Sequence, residues 1–350
     1  MRDGKKVLVG MSGGVDSAVT ALLLKEQGYE VMGVTFRLWV QEDAHTNDSI
    51  QDAKRICERL GFSHRVLDLQ TCFRRDVVNR FVEAYQRGDT PNPCVECNRY
   101  IKFTKLLEEA DRLGIPYVAT GHYARVEMCE GKFVLKKGVD AEKDQSYFLY
   151  SLGQKQLART LFPLGKYTKT QVRTLAETHG FVNARKRDSQ DICFVPGGDY
   201  AAFIEKYTGK SFPYGNFVDI DGNILGKHKG VIRYTVGQRK GLGIALGKPA
   251  FVLAKNVEEN TVTLGENESL FTDSLTAVDF NWICGESPRL PMRLKAKVRN
   301  TQKEKSATVT QIADSRFRVV FDIPQRAIAR GQSVVLYDED MVVGGGIIEE

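Results

Sequence analysis

An α/β N-terminal domain built on a parallel sheet, followed by two small β-rich, barrel-like modules, is the fold that this 350-residue sequence predicts. Three observations predict it. Short apolar strands alternate with amphipathic helices through residues 5–122, the order of a parallel sheet covered on both faces. A glycine-rich turn, Gly10-Met11-Ser12-Gly13-Gly14-Val15-Asp16-Ser17, separates the first strand from the first helix. After about residue 210 helical periodicity disappears, and short β-rich runs are punctuated by Asp221-Gly222-Asn223, Glu258-Glu259-Asn260 and Asp338-Glu339-Asp340. A seam near Thr272 divides that region, giving expected domains of 1–209, 210–271 and 272–350.

Lys6–Gly10 reads as a buried strand because apolar residues with β-branched valines run together there. Helix Asp16–Gln27 follows, with Ala18, Val19, Leu22, Leu23 and Leu24 as its apolar positions and Gly28 as its stop. Further strands are expected at Val31–Leu38, Arg65–Leu69 and Tyr117–Thr120, and helices at Ser49–Leu60, Phe73–Gln86 and Tyr100–Leu113. A hairpin spans Ala124 to Asp140 with Gly131 at its turn. Lys143–Leu152 and Thr168–His179 read as helices, the second capped by Thr168 and stopped by Gly180, and a short helix is expected at Tyr200–Tyr207.

Apolar content of 42% and charged content of 27% fit a soluble globular chain and exclude a disordered or fibrous one. The net charge of +6 is a mild sign of a polyanionic partner. No apolar run approaches the ~18 residues of a membrane span, and the first residues lack a signal-peptide layout, so a cytoplasmic chain away from membranes is expected. Seven cysteines are too few, and odd in number, for a secreted disulfide scaffold. Cys57 and Cys72 fall in helical apolar patterns and read as core.

The chemistry sits in the loops. Glycines let backbone approach an anion, and a helix N-terminus turns free N–H groups toward it, so Gly10 to Ser17 reads as a phosphate loop. It lacks the Gly-Lys-Ser/Thr ending of P-loop NTPases and the spacing of dinucleotide folds. Residues 91–103 hold Pro91, Pro93, Cys94 and Cys97, with Asn98 as a candidate helix start that would leave Cys97 at a thiolate-favouring N-terminus. Zinc on Cys94 and Cys97 would need two further ligands, and no second Cys-x-x-Cys or His pair supplies them, so no tightly bound metal is expected. A second loop thiol, Cys193, follows the basic run Arg185-Lys186-Arg187 and precedes Gly197-Gly198, which suits an activated and mobile sulfur or a structural cysteine beside Phe194.

Ser-Gly-Gly-Val-Asp-Ser resembles the signature of the PP-loop ATP pyrophosphatases, which transfer AMP to a substrate oxygen. Further stretches follow in order: Thr90-Pro91-Asn92-Pro93 with Cys97-Asn98, Ala119-Thr120-Gly121-His122-Tyr123-Ala124-Arg125, Lys143-Asp144-Gln145-Ser146-Tyr147-Phe148-Leu149, Asp188-Ser189 with Ile192-Cys193-Phe194, and Tyr234-Thr235-Val236-Gly237-Gln238-Arg239-Lys240-Gly241-Leu242-Gly243. Together they make the chain resemble the tRNA-specific 2-thiouridylase (MnmA) family over nearly its whole length. That resemblance implies ATP-dependent 2-thiolation of the wobble uridine of tRNA, with adenylation of the C2 oxygen and sulfur carried as a persulfide on Cys193. Cys97 would act as the nucleophile, or as partner in a Cys97–Cys193 disulfide. The resemblance assigns Gly10, Met11, Ser12, Gly13, Gly14, Val15, Asp16, Ser17, Phe36 and Gly121 to ATP, which would bind with Mg²⁺. It assigns Asn92, Pro93 and Cys94 to the target base, and His122, Lys143, Asp144, Gln145, Arg299, Asn300 and Gln332 to tRNA. The implied partners are tRNA and a sulfur donor, a cysteine desulfurase or sulfur relay protein.

The chain departs from the family pattern in two places. Many members carry an aspartate with an acid/base role where this chain has Cys94. A thiol with a reference pKa of about 8.5 cannot replace a carboxylate of about 3.9, leaving Glu96 or Asp89 as substitutes, or a dispensable role. An Arg-Tyr-Arg pattern is replaced by Arg299-Asn300-Thr301. Two other readings compete: a PP-loop AMP-forming enzyme acting on a small molecule or free nucleotide, and a non-catalytic RNA-binding protein. The first needs neither residues 210–350 nor two loop thiols; the second needs neither the intact phosphate loop nor Cys97 and Cys193.

Overall fold

In the computed structural model, which describes residues 5–39, 45–181, 183–184 and 191–350, β1 (Lys6–Gly10) lies at the centre of a five-stranded sheet. β2 (Glu30–Arg37) and β3 (His64–Asp68) lie to one side, β4 (Tyr117–Ala119) and a two-residue strand, Thr160–Leu161, to the other. Every pairing is parallel. Side chains alternate across a strand, so Val7 and Val9 pack with Ala18, Val19 and Val172 while Leu8 packs with Leu106 and Ala110 on the other face. Thr160–Leu161 is too short to leave a pattern in sequence.

The helices differ from expectation where capping decides. The expected Tyr100 start is overridden, because Asn92 is extended and Pro93 takes the first helical position, where its missing N–H costs nothing. The helix then runs through residues 93–112 with a wider turn at Cys97–Lys102. A second helical run begins at Gln70 and ends at Gln86, with a similar wide turn at Arg74–Val78. The helix expected from Lys143 does not form. Asp144 accepts N–H groups from Gly138 and Ser146 at 3.0 and 3.1 Å and the Ser146 hydroxyl at 2.8 Å, which fixes a turn before one short helical turn, Ser146–Leu149. The Thr168 cap is present, with its reciprocal partner Gln171, on helix Lys169–Thr178.

Beyond residue 210, strands Gly215–Val218, Ile224–His228, Phe251–Asn256 and Thr261–Gly265 form one four-stranded sheet. Its core residues Phe217, Val252 and Val262 share a cluster with Phe73, Phe81, Cys97 and Phe194, so this module backs onto the helices that carry the thiols. Six longer strands follow, from Phe271–Trp282 to Met341–Ile348, and the first and last pair to close a barrel. Gly345 keeps that closure tight: a Cβ there would sit 2.7 Å from the Tyr150 ring. The expected hairpin is β5 (Ala124–Cys129) and β6 (Lys132–Lys137), turning at Glu130 and Gly131 with positive φ. β6 pairs with the last barrel strand, Lys136 opposite Met341 and Leu135 opposite Val342, so the hairpin extends the barrel sheet. Cys57 is buried and Cys72 half-buried.

Candidate active site

The glycine turn leaves the carboxyl end of β1 and enters α1 (Val15–Glu26). Gly13 has φ +74, and a Cβ there would collide with the Ser49 carbonyl. Ser17 ties the turn: its hydroxyl accepts the Ser12 N–H at 3.2 Å and donates to the Gly14 carbonyl at 3.0 Å. The first-turn N–H groups of α1 have no acceptor within the helix and remain for an anion. Met11 donates its N–H to Val34, which sets β2 and Phe36 beside the turn. Gly121 closes the other side, where a Cβ would lie 2.9 Å from the Asp16 backbone. The ten residues assigned to ATP thus meet at the carboxyl edge of β2, β1 and β4. Glycines at the points of closest approach and a helix N-terminus fit a nucleotide phosphate.

Sequence reasoning missed Lys169. This lysine is buried at the start of its helix, and its Nζ lies 2.8 Å from both carboxylate oxygens of Asp16. The Tyr123 hydroxyl donates to the same carboxylate at 2.8 Å. A lone lysine 153 positions away carries no signal in sequence; only the fold makes this pair.

The thiols form the second part of the site. With the helix starting at Pro93, Cys94 is its second residue and Cys97 lies one turn inside, its N–H bonded to the Cys94 carbonyl. Cys97 is therefore buried, not poised at a helix start, and burial pushes its thiol up to about 12. Lys102 opposes that rise, and Cys193 and Cys94 add to it. Cys193 and Cys94 open to solvent on one side, yet partial desolvation raises both thiols. Cys94 is the next cause at Cys193, and Lys102 lowers both. The neighbouring Phe194 ring meets Phe73 and Phe81 edge-on at 5.6 and 5.2 Å, which anchors Cys193 on the Gln70–Gln86 helical run, in a buried cluster that also holds Cys97. The charge of Lys102 thus acts on all three thiols. Lys102 has no ion-pair partner among the described residues, and sequence reasoning missed it because the expected helix start was wrong.

Both candidate substitutes for the family aspartate are paired with arginines, and neither is among the charges that shift the three thiols. Glu96 pairs with Arg80 at 3.4 Å, and its carboxyl is pushed up by burial. Asp89 lies 2.9 Å from Arg330 and 3.4 Å from Arg87. Both line a cavity of about 400 Å³ with Asn92, Pro93, Asp279 and Ser333.

The residues assigned to tRNA fall into three places. His122 is buried between Phe103 and Phe162, its Nδ1 is 2.6 Å from the Thr120 hydroxyl, and burial followed by Lys102 holds it in the neutral form. Gln145 bonds the Tyr123 backbone through both its N–H and its side chain, and Lys143 is half-buried beside the Asp144 turn. Arg299 and Asn300 sit on the barrel: Arg299 donates to the Val236 and Ala327 carbonyls at 3.1 and 2.8 Å. Arg299 Nε, Asn300 Oδ1 and Gln302 Oε1 are buried without partners, polar capacity that a ligand could satisfy. Gln332 donates to the Thr90 carbonyl at 2.8 Å, tying the barrel to the proline loop. Arg185-Lys186-Arg187 lies outside the described residues.

Comparison with known proteins adds the identity. Residues 5–197 match the tRNA methyl transferase HUP domain, 201–266 the tRNA methyl transferase PRC-barrel domain, and 272–348 the aminomethyltransferase beta-barrel domain. The tRNA-specific 2-thiouridylase MnmA of Acetivibrio thermocellus is 49% identical over 356 residues, covering 99% of each chain. This chain belongs to the tRNA-specific 2-thiouridylase family. A second family member, MnmA of Clostridioides difficile, is 48% identical, covering 99% of this chain and 98% of its own. Among solved structures, the U34-tRNA thiolase NcsA from Methanococcus maripaludis with its [4Fe-4S] cluster is 21% identical. Its TM-score is 0.37, over 58% of this chain and 66% of that one. Among the described residues of this family member, no three His, Cys, Asp or Glu side chains converge to hold a metal ion, and no helix is long and apolar enough to cross a membrane.

Proposed function

We propose that this chain is an AMP-forming tRNA-uridine 2-sulfurtransferase, which thiolates C2 of the wobble uridine of tRNA. The observation that carries the reading is relatedness to tRNA-specific 2-thiouridylases along the whole chain, barrel included, at 49% identity. A PP-loop enzyme of small molecules would not require that match through residues 210–350.

ATP, bound as a Mg²⁺ complex, supplies the adenylyl group that turns the C2 oxygen into a leaving group. The α1 N-terminus and the glycine turn hold the phosphates, and Gly121 and Phe36 flank them. Lys169 keeps Asp16 fixed at the loop. Cys193, open to solvent, takes sulfur from a donor protein as a persulfide, and Cys97 releases that sulfur toward the base. Lys102 stabilises thiolate at all three cysteines by its charge. Its influence also reaches His122, next to Gly121, which supports one continuous site running from the phosphate loop to the thiols. Residues 1–209 act as the catalytic domain, 210–271 as its support and 272–350 as the tRNA-contacting barrel.

Mass spectrometry of nucleosides from tRNA incubated with the protein, ATP, Mg²⁺ and a persulfide source tests the reading. ATP-dependent 2-thiouridine is expected. AMP release that is indifferent to tRNA, with no thiolated nucleoside, would overturn it in favour of a small-molecule substrate.

A further inference from the structure

A phosphate loop binds by aiming backbone N–H groups at the anion, so its carbonyls must be turned away from it. Side chains hold three of those carbonyls here. Thr35 donates its hydroxyl to the Met11 carbonyl at 2.7 Å, and Ser17 donates to the Gly14 carbonyl at 3.0 Å. Between them, Asn183 donates Nδ2 to the Gly13 carbonyl at 2.9 Å. Thr35 belongs to β2 and Ser17 to α1, elements that already frame the loop. Asn183 arrives from beyond helix Lys169–Thr178, 170 positions along the chain from Gly13.

The peptide plane that Asn183 holds is the least constrained in the loop. It lies between two glycines, the first with φ +74, so rotation of the plane meets little steric resistance. A trans peptide points its C=O and N–H in opposite directions. Asn183 is only 4% exposed and takes the carbonyl on the inner side. The Gly14 N–H faces the exposed Ser12 hydroxyl at 3.3 Å. That outer bond is long, so the inner one sets the plane.

Packing alone would not select an asparagine at this place. Its Oδ1 is buried without a hydrogen-bond partner. A side chain that only filled the space would be better apolar, because a buried acceptor left unpaired is destabilising. The amide is accounted for by its donor, since no apolar group could hold the Gly13 carbonyl.

Resting on the ATP reading of this loop, we propose that Asn183 is a positioning residue for the phosphates of ATP. By holding the Gly13 carbonyl inward, it keeps the Gly14 N–H turned outward to bond a phosphate oxygen. It acts through that peptide and not by contact with the nucleotide. Its influence is therefore confined to the polyphosphate end of the ligand, and adenine and ribose bind independently of it.

The test measures equilibrium binding of ATP–Mg²⁺, inorganic pyrophosphate and adenosine to the full chain. Asn183→Leu keeps the shape of the side chain without its donor, and Asn183→Ala removes both. In each variant the Kd for ATP and for pyrophosphate should rise about three- to tenfold, while that for adenosine stays put. Asn183→Leu should also lose less stability to urea than Asn183→Ala, yet bind ATP as poorly. Weakening of all three ligands alike, or of none, would overturn the proposal. The unaltered chain supplies a check that needs no variant: the Gly14 amide resonance of ¹⁵N-labelled protein should shift when pyrophosphate is added. A Gly14 resonance that stays still while its neighbours in the loop shift would overturn the proposal alone. Wild-type protein that binds ATP no more tightly than adenosine would overturn the phosphate-loop reading, and the proposal with it.

Discussion

Lys169 grips both carboxylate oxygens of Asp16 at 2.8 Å, joining the start of one helix to the first turn of another. Asp16 therefore reaches the phosphate loop already paired. Lys169→Met should leave that carboxylate without its cation, costing about 1–3 kcal/mol, less than a fully buried pair because Asp16 is partly exposed. Asp16→Ala should act alike, and the double variant should cost less than the sum. Both single variants should lower tRNA-dependent AMP formation about tenfold or more, by unseating the loop. Urea unfolding and an AMP assay measure the two effects. Unchanged AMP formation would reject the phosphate-loop assignment.

Division of labour among the thiols is tested by persulfide trapping with an alkylating tag and peptide mapping. Cys193→Ser should abolish sulfur loading while tRNA still binds. Cys97→Ser should load Cys193 yet release little thiolated product. Cys94→Ser should form product in its first turnover. Trapped sulfur on Cys94, or a Cys94→Ser first turnover as poor as that of Cys97→Ser, would sink this assignment.

Cys97 should titrate late. A thiol raised to about 12 stays protonated at neutral pH, so its thiolate, and the sulfur-release step that needs it, should increase about tenfold per pH unit through the mildly alkaline range. Lys102→Met removes the one charge that opposes the rise and should slow release several-fold at fixed pH. Single-turnover rates from pH 6 to 9 decide it; a flat profile in the wild type would remove thiolate formation from the rate-determining path.

His122 links stability to acid. Its folded-state pKa is lowered by burial, so the unfolded chain binds the proton more readily. The neutral-His contribution is whole above about pH 6.5, the unfolded value, and is lost as pH falls below it toward the folded pKa, at up to about 1.4 kcal/mol per unit. Denaturant unfolding of His122→Asn should show a shallower loss of stability below pH 6.5 than the wild type. Identical slopes would mean that His122 titrates normally.

Binding to tRNA should weaken as salt rises, because phosphate contacts release counterions. Neutralising Arg185, Lys186 and Arg187 should reduce affinity and lower the log–log salt slope by about one unit per lost contact. Filter binding across a salt series measures this, and an unaltered slope would make the run a solvated face.

Much of this was legible in residues close together in sequence. The phosphate loop is a local motif whose glycines and helix start are adjacent, so Gly10 to Ser17 carried its own context. The four longer parallel strands were marked by apolar runs, and the β-rich character after residue 210 by the loss of helical period. Lys169, by contrast, becomes part of the loop only through the packing of its helix on α1. The state of Cys97 was misread because a proline at 93 outranks an asparagine at 98 as a helix start, and that shift of five residues carries the thiol from surface to core. Asp144 drew its stretch out of the expected helix by bonding backbone on both sides of itself, a competition that helical period cannot show. The substitution at Cys94 was visible, but its neighbours were not.

The hairpin β5–β6 belongs by sequence to the catalytic half and by hydrogen bonding to the barrel. Its Leu135 shares a buried cluster with Tyr147 from the catalytic half and with Val335, Tyr337 and Val342 from the barrel. The unit that recombination or a protein engineer could move between such enzymes is therefore not the contiguous stretch after residue 272. A chimaera cut there would inherit a foreign edge at Met341 and Val342; one that carries residues 124–137 along with the donor barrel keeps the seam intact, at the cost of a discontinuous graft.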